Sequence, residues 1–222
     1  MRLIDTHSHL FLEEFSEDLP QVIERARSAG VTHIFMPNID STTIDSMLSV
    51  CNTYNDYCFP MIGLHPTSVN ADYEKELEIV ARELRSFNKY IAIGEVGMDL
   101  YWDKTFLKEQ QIVLDKQINW ALEYDLPVVI HCRDAFGYIY NVLEPYKNTS
   151  LKGVFHSFTG TDDEAARILE FSGFLIGING VVTFKKSRLP EVLTKIPLEK
   201  IVLETDSPYL LSLIHISEPT RL

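Results

Sequence analysis

Leu3-Ile4-Asp5-Thr6-His7-Ser8-His9 is a short apolar run that passes into an alternating acid and two histidines. Successive side chains of a strand point to opposite faces, so Asp5, His7 and His9 share one side. The design returns along the chain. Gly94-Glu95-Val96-Gly97-Met98-Asp99, Val129-Ile130-His131-Cys132-Arg133, Val154-Phe155-His156 and Leu203-Glu204-Thr205-Asp206-Ser207-Pro208 repeat it, and Gly63-Leu64-His65-Pro66 adds a sixth polar strand end. Polar strand ends that converge on one point call for a closed parallel barrel with a metal at one mouth.

Working outward from these ends, strand signals fall at 3–9, 32–37, 59–65, 90–94, 127–131, 153–156, 174–178 and 201–204, the spacing of a βα unit. Helical stretches lie between them. The clearest covers 104–124, with Leu114, Ile118 and Ala121 on one face. Another covers 20–29, with Pro20 in its first turn and Gly30 just past its end. No glycine-rich nucleotide loop follows the first strand, which disfavours an open doubly wound sheet. The expected fold is an α/β (β/α)8 TIM barrel in residues 1–211. Ser212 to Leu222 is too short for the helix that should cover the first and last strands, and Pro219 blocks its extension. The pattern predicts a C-terminally truncated barrel, its final helix missing, with 212–222 a tail foreign to the fold.

The 222 residues, 45% hydrophobic and 23% charged, suffice for one buried core. There is no membrane-length apolar run, and polar Asp5 to His9 arrive too early for a signal peptide, so cytoplasm is the expected location and no membrane partner is expected. Cys51, Cys58 and Cys132 are too scattered for a disulfide framework or a zinc ribbon. Cys132 alternates with His131 and should pack towards the helices. A net charge of −12 argues against tight binding to long nucleic acid through a basic surface. It leaves a nuclease open, because divalent cations bring their own positive charge into a site.

His7 and His9 at i and i+2 can chelate one ion, with Asp5 placed to orient a ring. Glu95 can bridge two cations, one oxygen to each, with Asp99 on the same parity. His131 and His156 end adjacent strands at equivalent positions, which favours ligands over core histidines. Arg133 shares His131's side and suits a phosphate or carboxylate, or else a structural ion pair. Asp206 can ligate an ion and deprotonate the attacking water, with Glu204 behind it. His65 reads as a substrate contact or a support more than a ligand. His33 and His215 are expected to be uninvolved.

The ordered set of these motifs, together with Ser157-Phe158-Thr159-Gly160 after His156, closely resembles the TatD family of metal-dependent deoxyribonucleases from residue 1 to about Leu210. The resemblance implies that His7, His9 and Asp206 hold one divalent ion and His131 and His156 a second, with Glu95 bridging them. It also implies hydrolysis of DNA phosphodiester bonds, often from the 3′ end. Met98 and Leu100 are mild departures, and the family's usual C-terminal region is replaced by the tail.

Rival readings are hydrolysis of another ester or amide, such as a misacylated-tRNA ester, a non-catalytic metal-binding scaffold, and a non-functional truncated product. A scaffold predicts at least one lost ligand, and none is lost. Mixed imidazole and carboxylate ligation suits Mg²⁺, Mn²⁺ or Zn²⁺. No obligate protein partner is implied.

Overall fold

The aliphatic runs become strands and the amphipathic stretches helices in a computed structural model that describes residues 2–86 and 89–209. Strands β1 (Leu3–Asp5), β2 (Val31–Pro37), β3 (Cys58–Met61), β4 (Ile93–Asp99), β5 (Val128–Arg133), β6 (Gly153–Phe155), β7 (Phe174–Ile178) and β8 (Ile201–Leu203) are connected through seven α-helices. These are α1 (Leu19–Ser28), α2 (Ile44–Thr53), α3 (Tyr73–Ser86), α4 (Leu107–Glu123), α5 (Phe136–Leu143), α6 (Asp162–Leu169) and α7 (Leu189–Leu193). Pro20 sits in the first turn of α1, and Gly30 follows its end at φ +93°, a conformation glycine adopts without a Cβ penalty.

Neighbouring strands pair in parallel in chain order, β1 to β3 and β4 to β8. Two seams close the ring. At one, Ile62 N donates to Ala92 O (3.2 Å) and Gly94 N to Ile62 O (2.9 Å). At the other, Thr6 N donates to Leu203 O (3.1 Å), Asp206 N to His7 O (2.9 Å) and His9 N to Ser207 O (2.7 Å). The result is the expected parallel barrel. Its core joins strand residues such as Met36, Met98, Ile130, Phe155 and Ile176 to the inner faces of the helices, among them Met47, Leu114, Ile118, Ile139 and Ile168.

The structure corrects the strand limits at three places. Regular β1 stops at Asp5 and β3 at Met61, short of His9 and His65, because those ends continue through the seam bonds of Ser8 and Ile62. Residues 90–92 precede β4, which instead runs on through Asp99 and is buried along its whole length. Gly94 and Gly97 therefore lie inside a strand. Their lack of a side chain lets β4 lie close to β5: a Cβ on Gly97, which sits at φ +136°, would fall 2.0 Å from His131 O.

No described helix is long and apolar enough to cross a membrane. Ile4 and Leu203, on β1 and β8, are among the exposed large apolar residues. The expectations for residues 212–222 lie outside the described residues.

Candidate metal centre

Glu95 is the hub of the barrel mouth. Its two oxygens face different histidines. Oε2 lies 3.0 Å from His7 Nε2 and 3.6 Å from His9 Nε2. Oε1 lies 3.0 Å from His131 Nδ1, 3.4 Å from His65 Nε2 and 3.9 Å from His156 Nε2. Asp206 Oδ1 stands over the same group, 3.8 Å from His7, 3.7 Å from His9 and 3.6 Å from His156. Three trios have donor atoms close enough to share an ion: His7 with His156 and Asp206, His7 with His9 and Glu95, and His65 with Glu95 and His131.

The structure thus joins all six residues expected as ligands, from β1, β4, β5, β6 and β8 ends, and brings His65 in among them. The ring of His156 stacks on His7 at 3.4 Å between centroids, so His156 groups with His7 and Asp206. His65, read from sequence as a contact or support, takes the place beside His131. Strand order explains this. The end of β3 meets β4 across a barrel seam, which carries His65 to Glu95, an adjacency with no trace in local spacing.

Burial and the neighbouring charged groups together set the protonation of these residues. Burial pushes the His9 imidazole down to about 3, with help from neighbouring His7, so this ring is neutral at ordinary pH, as a ligand must be. Burial also lowers His65. Burial alone would raise Glu95, but the imidazoles of His7, His65 and His156 outweigh it and hold the carboxyl well below its usual range. Asp206 is likewise held down against burial, by His156. His131 and His156 move the other way: burial would lower them, and the surrounding carboxylates raise them. The proton on such a ring balances the carboxylates where a cation would otherwise do so.

The donor set fits a divalent cation. His7 Nε2 and His9 Nε2 face one another at 3.2 Å, so both cannot carry a proton along that line. The Nε2 atoms of His7, His9 and His156 all turn towards the oxygens of Glu95 and Asp206. Imidazole lone pairs and carboxylate oxygens gathered this closely are reconciled by a positive ion among them.

The supporting residues depart from expectation in one case. Asp5 orients no ring. Its carboxylate accepts from Thr205 N (2.9 Å), Thr205 Oγ1 (2.6 Å) and His7 N (3.2 Å), clasping the β1–β8 seam that holds His7 and Asp206 together. Burial raises its carboxyl to about 6 against those bonds. Asp99 Oδ2 lies 3.0 Å from His131 Nε2. Glu204 Oε2 lies 3.1 Å from His156 Nδ1, off hydrogen-bond alignment, while its Oε1 accepts from Ser157 N at 2.5 Å. Ser157 (φ 48°) and Asp206 (φ 60°) hold left-handed backbone conformations at the mouth, a strain that functional sites commonly retain. Arg133 makes no ion pair among the described residues; its guanidinium lies 3.9 Å over the Tyr101 ring. His33 packs against Phe59, and Cys132 packs against the core with its thiol pushed up to about 12 by burial.

Buried amides that sequence reasoning missed fix the strand ends. Gln117 Oε1 accepts from Leu64 N (2.7 Å) and its Nε2 donates to Leu64 O (3.2 Å), which sets the residue before His65. Gln110 does the same for Asp99, accepting from its N at 2.9 Å and donating to its O at 3.2 Å. Asn38 Oδ1 accepts from Gly63 N at 2.7 Å. A signal was present: Gln110 and Gln117 share the apolar face of α4 with Leu114, where an amide has to find buried partners.

The centre opens into a cavity of about 640 Å³, lined in part by His65, Trp102, Arg133, Thr159 and Tyr209.

Comparison with known proteins finds metal-dependent hydrolases. The sequence pattern of the family described as "TatD related DNase" matches residues 4–221. A Bacillus subtilis protein, described as the uncharacterized metal-dependent hydrolase YabD, is 36% identical over 209 residues, 94% of this chain and 81% of its own length. The "3'-5' ssDNA/RNA exonuclease TatD" of Pantoea ananatis is 33% identical over 211 residues, 94% of this chain and 80% of its own. The crystal structure of the TatD homologue YjjV from Escherichia coli superposes with a TM-score of 0.86 at 33% identity, covering 95% of this chain and 81% of that one.

Proposed function

The chain belongs to the TatD family of metal-dependent hydrolases, and from that premise we propose that it is a nuclease, hydrolysing DNA phosphodiester bonds from the 3′ end with two divalent cations. The observation that carries this reading is the division of Glu95, whose Oε2 serves His7 and His9 while Oε1 serves His131, His65 and His156. A carboxylate placed so can bridge two ions. His7, His9 and Asp206 would hold one and His131 the other, with His65 beside His131 and His156 in reach of both Glu95 and Asp206. The exonuclease name of the Pantoea relative supports the choice of bond and polarity.

When bound, Mg²⁺, Mn²⁺ or Zn²⁺ supplies positive charge against phosphate oxygens and acidifies the attacking water. The chain's residues do the rest. Asp206, kept ionised and facing the cavity, accepts the water's proton. Asp99 holds His131, and Glu204 backs His156, so that both rings keep their orientation. Arg133 adds positive charge at the mouth, where a phosphate enters.

Two results test the reading. A single-stranded DNA oligonucleotide should release nucleotides from its 3′ end, lose that reaction in EDTA, and regain it on adding Mg²⁺ or Mn²⁺, with saturation at two equivalents by elemental analysis. Cleavage of esters or amides but of no phosphodiester would show the bond to be wrong, and saturation at one equivalent would remove the second ion. Asp206→Asn should lower kcat by roughly 10²-fold or more, the usual size for a lost general base, with a smaller change in substrate binding. Wild-type turnover in that variant at saturating metal would refute the proton's route.

A further inference from the structure

Two aromatic side chains on the segment between β4 and α4 are left open to solvent beside the metal centre. Tyr101 is 54% and Trp102 73% exposed, and their rings stand edge to face at 4.9 Å. Trp102 is the most open aromatic among the described residues and lines the cavity. The segment holding them is well tied. Leu100 N donates to Arg133 O (3.0 Å), and Tyr101 N donates to Asp99 Oδ1 (3.0 Å), the residue that also meets His131. Thr105 N and Oγ1 both donate to Asp103 Oδ1, at 2.8 and 2.6 Å. Arg133 lies 3.9 Å over Tyr101 and 5.3 Å from the Trp102 centroid, a cation laid on an aromatic surface and not on a carboxylate. Held open aromatics forfeit burial, so a surface built this way has a use for its faces.

The net charge of −12 says what that use is. A protein this acidic gains little affinity from phosphate neutralisation, the term that dominates most nucleic-acid binding. Stacking of bases on aromatic and guanidinium planes is independent of net charge and needs a base free of its duplex stack, because inside a duplex both faces are covered by neighbouring base pairs. We infer that Trp102, with Tyr101 and Arg133 beside it, is a stacking platform for an unpaired nucleobase next to the phosphate that the metal centre would hold. This rests on the phosphodiester reading above for what occupies the centre, but the platform can be tested apart from cleavage.

The experiment is fluorescence anisotropy in Mg²⁺ with phosphorothioate-linked single strands, one normal and one abasic at its two 3′-terminal positions. Wild-type protein should bind the base-bearing strand at least about tenfold more tightly, the size of one lost stacked base. Trp102→Ala should collapse that ratio towards one, and Trp102→Phe should keep most of it, since a phenyl ring still offers a face. The base-bearing preference should also persist as salt rises, because it is not electrostatic. Equal affinity for the two strands, no binding of either, or a ratio that Trp102→Ala leaves alone would overturn the platform. Base-selective binding without cleavage of the phosphodiester-linked strand in any metal would instead sink the nuclease reading and leave the platform standing.

Discussion

Glu95→Gln is expected to abolish both proposed cation sites at once, lowering metal affinity and turnover by more than about 100-fold, the upper range for losing a partner that only orients a ligand. The two sites fail together because the same carboxylate appears in the trio with His7 and His9 and in the trio with His65 and His131. Glutamine keeps the shape but removes the charge, and its amide nitrogen brings hydrogens where one carboxylate oxygen accepted. Depending on its flip, the nitrogen meets His7 Nε2, now 3.0 Å from Oε2, or His131 Nδ1, now 3.0 Å from Oε1. The variant should still fold, since the surrounding apolar core is untouched. Competition with a chromophoric chelator gives the metal affinity, and single-stranded DNA gives the turnover. Two tightly bound equivalents with wild-type rate in Glu95→Gln would rule out bridging.

Gly97→Ala should cost more than about 4 kcal/mol, a size reached only by severe structural faults and a large part of a typical total stability of about 5–15 kcal/mol. The added Cβ would stand 2.0 Å from His131 O, 2.9 Å from His131 C and 3.0 Å from His131 N, and φ +136° is strained for any L side chain. Nothing nearby can yield, because the obstruction is the backbone of β5, paired with β4 in register at Gly97 and His131. A melting temperature lower by roughly 10 °C or more is expected for a chain of this size, or failure to accumulate as soluble protein. Gly137→Ala is the control: its Cβ meets nothing within 4 Å, and it lies in helix α5, so it should be neutral or mildly stabilising. Similar melting of the two variants would mean that β4 and β5 are not held this closely.

Of these two residues, Glu95 already read in the sequence as a carboxylate able to bridge cations, whereas Gly97 gave no sign of its role. Both stand in Gly94-Glu95-Val96-Gly97-Met98-Asp99, where the acid at a strand end is legible but the reason for the glycines is not. Gly97 is there because two backbones touch, and only the pairing of β4 with β5 shows that contact.

The barrel and the chemical type of its mouth were legible in the chain itself, for reasons that are local. A strand alternates its faces every residue, and a helix returns every three to four, so apolar periodicity marks both element types without knowledge of their partners. Donor types are equally local: histidine and carboxylate at the ends of six such segments state a metal site by composition and place. Tertiary structure alone decided who stands beside whom. Asp5 clasps Thr205 across the β1–β8 seam in place of a ring, a choice made by a partner 200 positions away. His65 reaches Glu95 because the β3 end meets β4 at the other seam, and His156 stacks on His7 because both rings crowd one buried space. Gln110 and Gln117 matter because burial obliges their amides to bond, and only the packed fold shows which strand ends they meet. Periodicity follows from bonds along the chain, whereas the pairing of ligands, clasps and supports follows from distances that exist only once the ring has closed.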